Sequence, residues 1–101
     1  MTVHIWNELT REQLGAVLPD ALVVLPVGAT EQHGPHLATG TDALVVDAVA
    51  RAAVAAAGTD RDLVLAPTLP FGASDHHLPF GGTLSLRVET MTEVVLDLAR
   101  S

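Results

Sequence analysis

The side chains best suited to binding a metal ion lie close together in one polar segment of the sequence. Glu31 and His33 are two positions apart, and Asp42 follows nine positions after His33. In an extended stretch the side chains of residues i and i+2 project to the same side, so Glu31 and His33 can face one point. The intervening loop is short and contains Gly34 and Gly40, so Asp42 can fold back toward that point. Two carboxylates and an imidazole are a suitable ligand set for zinc, manganese or iron.

Each of these residues also has an ordinary structural explanation. An aspartate such as Asp42 in the first turn of a helix often serves only to favour the helix dipole. Glutamate and histidine in a polar loop are usually solvated, and Glu-x-His is far less specific than His-Glu-x-x-His. His36 has the same ambiguity. Because all four side chains lie within twelve positions next to a predicted strand end, a metal site and a solvated loop both stay open.

A second polar cluster consists of Ser74, Asp75, His76 and His77. Adjacent histidines can bind metal, but neighbouring side chains point in opposite directions in an extended chain, so we expect at most one of the two to face a site. A polar turn that happens to contain histidine is the more common explanation of such a cluster. His4, near the N-terminus, is given no functional role.

Several other classes of function are excluded by the composition. The sequence has no cysteine, no G-x-S-x-G motif and no glycine-rich phosphate-binding motif, which argues against thiolate, serine-hydrolase and nucleotide chemistry. Twelve acidic against five basic residues give a formal charge of -7, so nucleic acid and anionic membrane surfaces are not expected partners. No apolar run approaches the roughly 20 residues of a membrane helix, and we expect a cytoplasmic protein.

The segments around the candidate site favour an α/β fold with one domain. Of the 101 residues, 49% are hydrophobic and 17% charged, which is typical of a chain with a buried core. Residues 21–27 form an apolar run that ends at Gly28 and predicts a strand buried on both faces. Residues 62–66 predict a second strand, and residues 42–57 predict a largely covered helix between them. Together they would form a βαβ unit with a right-handed crossover, whose strand ends are a usual place for ligands.

Capping signals mark the ends of the long helix. Thr41 is the predicted N-cap and Gly58 the predicted C-cap. Asp47 and Arg51 have the i,i+4 spacing of an ion pair on its surface.

Two further helices are predicted from capping boxes. Thr10 and Gln13 have this spacing before a short helix that ends at Pro19, and residues 90–93 have it before an apolar stripe near the C-terminus. Residues 70–82 predict an irregular loop, and residues 83–86 could form a short strand. These elements leave a sheet edge and several helix faces uncovered, so we expect either a partner chain or a fragment of a longer protein.

Two blocks of the sequence resemble the creatininase (creatinine amidohydrolase) family. Residues 25–37 read LPVGATEQHGPHL and continue to TGTD at 39–42, which is similar to the signature of that family. Residues 67–72, the pair His76-His77 and residues 82–86 resemble the loop that follows in the family. The resemblance covers the chain from about Ile5 to the last helix.

This resemblance implies a three-layer αβα fold with a mostly parallel sheet, of which residues 1–101 are the N-terminal part of a single domain. It also implies two divalent metal ions per site, with Glu31 a ligand of the first, His33 a ligand of the second and Asp42 a carboxylate bridging both. The implied reaction is hydrolysis of a C–N bond in a cyclic or related small-molecule amide, with a metal-activated water as nucleophile. Members of the family form homo-oligomers, often hexamers.

The chain departs from the family pattern in one respect. Family members continue with an Asn-Gly-His segment, whose histidine completes the metal site, and this segment is absent from residues 1–101. We therefore expect the chain alone to be inactive and a full-length parent to be the enzyme. The alternative is a truncated or degenerate binding or structural protein that keeps the motif as a loop. The substrate, the metal and the roles of His36, His76 and His77 stay open.

Overall fold

The structure is a computed structural model that describes residues 2–57 and 59–101. Its helices and strands follow in the order β1 (Val3–Ile5), α1 (Arg11–Val17), β2 (Leu22–Val24), α2 (Thr41–Ala56), β3 (Leu63–Leu65) and α3 (Val88–Arg100). Short 3-10 turns occupy Trp6–Glu8, Leu18–Asp20 and Asp75–His77. Gly58, the predicted C-cap of the long helix, lies outside the described residues.

The three strands form one parallel sheet in the order β1-β3-β2. Val64 in the central strand pairs with His4 of β1 on one side and with Val23 of β2 on the other. Because β2 and β3 are parallel neighbours joined through α2, the predicted βαβ unit is confirmed. The strand β1 was not predicted, since residues 3–5 form too short a segment to show a period.

The buried core lies where α2 packs on β3. All three residues of β3 are at most 2% exposed, and α2 contributes Ala50 and Val54. A strand that has a neighbour on each side and a helix above it must be apolar along its whole length. The continuous apolar run of β3 meets this requirement.

The prediction that the first strand is buried on both faces is wrong. The strand β2 is at the edge of the sheet, and its Leu22 and Val23 remain 48% and 44% exposed. It is also shorter than the apolar run, since in the remainder of residues 21–27 only Val27 makes a bridge, a parallel one to Leu69. An apolar run can form either a buried central strand or an edge strand, so the composition of the run does not show which position the strand takes in the sheet.

The long helix is less covered than predicted. Leu44, Val45 and Val49 are exposed on α2, and Leu98 is exposed on α3. The prediction of a largely covered helix is therefore wrong, while the prediction of unpartnered helix faces is confirmed. Over the described parts of the chain, every helix falls short of the length and apolar character that a membrane span requires.

The helix α2 begins one residue earlier than predicted. Thr41 is the first helical residue, and Gly40 is the N-cap without a side-chain hydrogen bond. The Thr41 hydroxyl instead donates to the carbonyl oxygen of Ala38 at 2.6 Å. The predicted surface pair is confirmed, with Arg51 Nε 3.0 Å from Asp47 Oδ2.

The first capping box is confirmed. The Thr10 hydroxyl accepts from the Gln13 N–H at 3.2 Å, and Gln13 Oε1 accepts from the Thr10 N–H at 2.8 Å. The following helix passes into the 3-10 turn that contains Pro19. Thr10 and Gln13 are three positions apart, so their spacing in the sequence was enough to predict the capping box.

The second capping box is wrong. The helix α3 begins at Val88 with Arg87 as its N-cap, so Thr90 lies inside the first turn. The hydroxyl of Thr92 donates to the carbonyl oxygen of Val88 at 2.9 Å, as threonine does within a helix.

A pair of valines in register tests the contrast between the central and edge strands. Val64 is 0% exposed and Val23 opposite it is 44% exposed. We expect Val64→Ala to lower the free energy of unfolding by about 2 kcal/mol, through lost burial and a residual cavity. The matched Val23→Ala should change it by less than about 0.5 kcal/mol. Urea denaturation measures both, and equal effects would contradict this packing.

Candidate metal centre

One loop and one helix turn carry the three predicted site residues. The loop between β2 and α2 holds Glu31 and His33, and the first turn of α2 holds Asp42. The loop doubles back through an antiparallel bridge between His33 and Leu37. In the turn between them Gly34 has a φ of 73°, a conformation that side chains disfavour. The fold-back carries the chain from the imidazole toward the helix that bears the second carboxylate.

Gly28 sets how closely the start of this loop approaches α2. A Cβ on Gly28 would lie 2.7 Å from the carbonyl carbon and oxygen of Asp42 and 2.8 Å from the nitrogen of Ala43. Such distances are too short for carbon against backbone. The Gly28 N–H also donates to the carbonyl oxygen of Leu69 at 3.0 Å, which holds this point beside the chain that leaves β3. The backbone of Asp42 can therefore lie this close to the start of the loop only because residue 28 is a glycine.

The structure brings the three predicted side chains together. Glu31, His33 and Asp42 each offer a ligand atom, and these atoms lie within 4.8 Å of one another. His33 Nε2 is 3.0 Å from Asp42 Oδ1. All three side chains are partly buried, Asp42 being the most open at 39% exposed. The separation of the imidazole and the second carboxylate suits two ligands of one ion, while their role as ligands stays a prediction.

The hydrogen bonds of His33 leave one ring nitrogen for a cation. Nδ1 lies 2.9 Å from the carbonyl oxygen of Glu31, which can only accept, so Nδ1 carries the proton. In the neutral ring Nε2 then has a lone pair, and it faces the Asp42 carboxylate, another acceptor. Two acceptors 3.0 Å apart require a proton or a metal ion between them. Donation from the far ring nitrogen to a carbonyl is also the usual arrangement in metal-bound histidine, so these residues fit a metal ion.

The same contacts control protonation of the free side chains. The hydrogen bond to the Glu31 carbonyl raises the pKa of His33 above 6.5, and the nearby Asp42 carboxylate adds to the shift. A hydrogen bond from the Ser74 hydroxyl lowers the pKa of Glu31 below 4.5, against the opposing effect of burial. Ser74 is 1% exposed and was predicted only as part of a polar cluster. Glu31 is therefore an anion at neutral pH.

The second polar cluster lies beside the first. His76 and His77 are on the 3-10 turn Asp75–His77, with ring centroids 4.1 Å apart. Both offer a ligand atom within 4.8 Å of one from Glu31. The expectation that only one of the two histidines faces the site is wrong, because it assumed an extended chain and the segment is a turn. Glu31 belongs to both clusters.

Hydrogen bonds join the two loops that carry these clusters. The Leu84 N–H donates to the carbonyl oxygen of Thr30 at 3.0 Å, and the Gln32 N–H donates to the Thr83 hydroxyl at 3.1 Å. Residues 83–86, which could have formed a strand, make only isolated bridges. These bridges are enough to hold the later loop against the segment that contains Glu31.

His36 is exposed in the loop turn and belongs to neither cluster among the described residues. His4 lies on β1, where its Nε2 is 4.0 Å from Asp62 Oδ2. The structure gives no reason to add either histidine to the site.

Fold and site together define an α/β protein with a candidate metal centre beyond the carboxyl ends of parallel strands. The family model described as creatinine amidohydrolase matches residues 7–101. The chain therefore belongs to the creatininase family, as the two sequence blocks predicted.

Curated relatives include both peptidases and an amidohydrolase. The chain is 42% identical over 94 residues to the mycofactocin precursor peptide peptidase of Mycolicibacterium smegmatis, covering 91% of the chain and 37% of the relative. It is 34% identical over 88 residues to the creatinine amidohydrolase of Pseudomonas putida, covering 80% of the chain and 32% of the relative. The chain thus spans less than two fifths of the length of either relative and corresponds to their N-terminal portion.

Solved structures of creatininase share the fold. A mutant with tryptophan replaced by alanine superimposes with a TM-score of 0.82 at 32% identity, covering 98% of this chain and 40% of that one. A mutant with glutamate replaced by glutamine, described as Zn-Zn type, gives 0.77 at 33% identity, covering 95% and 38%. The predicted αβα class is confirmed, and the three-strand parallel sheet is an incomplete version of it.

The close approach at Gly28 can be tested by adding a single methyl group. We expect Gly28→Ala to destabilise the chain by about 1–3 kcal/mol and to displace Asp42, because the added carbon would overlap the backbone. Gly15→Ala is the control, since a Cβ there meets nothing within 4 Å and should stabilise α1 by about 0.5–1 kcal/mol. Thermal or urea unfolding measures the difference. Equal tolerance of both substitutions would contradict the close approach.

The proton on His33 provides a second test. A raised folded-state pKa means that its contribution to stability is complete below pH 6.5 and is lost as the pH rises through the raised value. In Asp42→Asn the pKa of His33 should fall, because the carboxylate that favours the protonated ring is gone. An NMR pH titration of the metal-free chain measures it, with Asp47→Asn as control. An unchanged pKa in Asp42→Asn would show that the two side chains do not interact.

Proposed function

We propose that this chain is the N-terminal part of a metal-dependent amidohydrolase of the creatininase family, and that Glu31, His33 and Asp42 are metal ligands. The observation that supports it most is the contact of His33 Nε2 with Asp42 Oδ1 at 3.0 Å. Neither atom carries a proton in the neutral imidazole and ionised carboxylate. A divalent cation held by both atoms would take the place of a proton between them.

The ligand set would suit zinc first. One imidazole with carboxylates is a common combination for zinc, and manganese and iron accept the same ligands. A related creatininase mutant is described as Zn-Zn type, which supports a pair of zinc ions. On the family resemblance, Asp42 would be the ligand that the two ions share. Glu31 would serve one ion and His33 the other.

The protein residues prepare the site before any substrate arrives. The Ser74 hydroxyl lowers the pKa of Glu31, and the Glu31 carbonyl keeps His33 protonated at Nδ1 so that Nε2 faces the site. Bound divalent ions would supply Lewis-acid polarisation of the substrate carbonyl and activation of water. The two carboxylates bring negative charge that offsets the charge of the ions.

The proposed substrate class is an amide with a hydrolysable C–N bond. The match to a peptidase at 42% identity is higher than that to a creatinine amidohydrolase at 34%. This favours a peptide amide over a cyclic small-molecule amide. Three ligands are too few for two ions, so the parent protein would have to supply more ligands and the substrate pocket. A homo-oligomer, six subunits on the family resemblance, and a cytoplasmic location also remain predictions.

Zinc binding tests the ligand assignment directly. We expect Asp42→Asn to weaken zinc binding by more than about tenfold, since the loss of a ligand costs at least as much as the loss of a residue that supports one. Asp47→Asn on the same helix is the matched control and should bind like the wild type. Zinc content after dialysis and isothermal titration measure both variants. Zinc binding that does not respond to Asp42→Asn would favour a structural loop over a metal site.

Hydrolysis tests the reaction in the parent protein that contains these residues. Peptide and cyclic amide substrates should both be tried with the metal-free and zinc-loaded forms. We expect amide hydrolysis only in the metal-loaded protein, and Glu31→Gln should reduce it to background while Asp47→Asn retains it. Retained metal binding without any amide hydrolysis would instead identify a metal-binding protein that is not an enzyme.

A further inference from the structure

His77 approaches Glu31 in a way that calls for a different role from that of His33. Its Nε2 lies 3.6 Å from Glu31 Oε2, and its side chain is 25% exposed. His76 on the same turn is exposed. On distance alone both histidines could join Glu31 around an ion. The hydrogen bond of His77 with Gln32 indicates whether its Nε2 can bind a metal ion or carries a proton.

The side-chain amide of Gln32 determines which nitrogen of His77 carries the proton. Gln32 Oε1 accepts from the Gly34 N–H at 2.9 Å, so the opposite end of the amide is the NH2 group. That NH2 lies 2.6 Å from His77 Nδ1 and donates to it. Nδ1 is therefore an acceptor, and the proton of the neutral ring is on Nε2. The Nε2–H of His77 faces the Glu31 carboxylate.

The two histidines near Glu31 thus have opposite tautomers. His33 donates from Nδ1 to a carbonyl and presents a lone pair at Nε2, as a metal ligand requires. His77 accepts at Nδ1 and presents a proton at Nε2, so its neutral ring offers no lone pair to a metal ion at that nitrogen. One carboxylate lies between a ring that can bind a cation and a ring that can donate to an anion.

We propose that His77 is a positioning residue, whose Nε2–H faces the Glu31 carboxylate at 3.6 Å and which does not bind metal. The proposal rests on the proposed role of Glu31 as a metal ligand. At 3.6 Å the approach of His77 Nε2 to Glu31 Oε2 is longer than a hydrogen bond, so the ring acts on the carboxylate by electrostatic attraction from the second loop. Groups that surround a ligating carboxylate in this way fix its orientation and limit its motion, which strengthens metal binding.

The tautomer of His77 can be observed without any functional assay. Long-range 1H–15N NMR spectra of the full chain separate Nδ1–H from Nε2–H rings, and His77→Gln assigns the signals of His77. We expect His77 to be an Nε2–H ring before and after zinc is added, and His33 to be an Nδ1–H ring whose Nε2 signal shifts with zinc. An Nδ1–H ring at His77, or loss of its Nε2–H when zinc is added, would overturn the proposal.

Zinc affinity distinguishes positioning from ligation. Glutamine can place an amide N–H near the position of Nε2, whereas leucine cannot donate. We expect His77→Leu to weaken zinc binding by about 10–100-fold and His77→Gln to stay within about threefold of the wild type. His76→Gln is the control and should bind normally. Equal losses in the glutamine and leucine variants would identify His77 as a ligand and overturn the proposal.

Failure of this proposal is distinguishable from failure of the proposed function. If the wild-type chain bound no zinc, or bound it equally well with Asp42→Asn, the metal site would be lost and with it the role of His77 in metal binding. An Nε2–H ring at His77 in a chain whose zinc binding depends on Asp42 supports both. Thermal melting of each variant identifies any variant that fails to fold. The NMR test is made on the wild-type chain, and the His77→Gln variant is needed only to assign the signals of His77.

Discussion

The structure depends most on two acceptors that face each other, His33 Nε2 and Asp42 Oδ1, 3.0 Å apart. Their approach is unfavourable unless a proton or a metal ion lies between them. The hydrogen bond from His33 to the Glu31 carbonyl holds the ring in the tautomer that maintains the opposition. Gly28 allows the backbone of Asp42 to come close enough for it to occur. A site arranged in this way is suited to a cation.

The rest of the described fold supplies the support for that contact. The apolar central strand β3 and the overlying α2 form a small core, and the loop after β2 begins at its edge. A second loop, held by backbone bonds from Leu84 to Thr30, brings Ser74 and His77 to Glu31. Several apolar side chains of α2 and α3 are exposed, so this core buries only a small part of the hydrophobic residues of the chain.

Local spacing predicted part of this structure because the interactions concerned are local. The i,i+2 rule and a short glycine-containing loop were enough to bring Glu31, His33 and Asp42 together. The capping box at Thr10 was predicted for the same reason. Contacts between distant segments left no such signal: the bond of Gln32 with His77 joins residues 45 positions apart.

Burial was predicted less well than the position of the site. An apolar run predicts a strand, but whether both faces are covered depends on neighbours elsewhere in the fold, and β2 has a neighbour on one side only. The same holds for α2, whose apolar residues Leu44 and Val49 are exposed. The family could be predicted because its motif residues are contiguous, whereas the burial of these faces depends on contacts between residues distant in the sequence.

An anomalous-scattering crystal structure of the zinc-loaded protein tests the central claim most directly. The account predicts a zinc ion bonded to His33 Nε2 at about 2.0–2.1 Å and to an oxygen of Asp42 at about 2.0–2.2 Å, with His77 outside bonding distance. Zinc bound through His76 and His77, with His33 still paired to Asp42 through a proton, would contradict it.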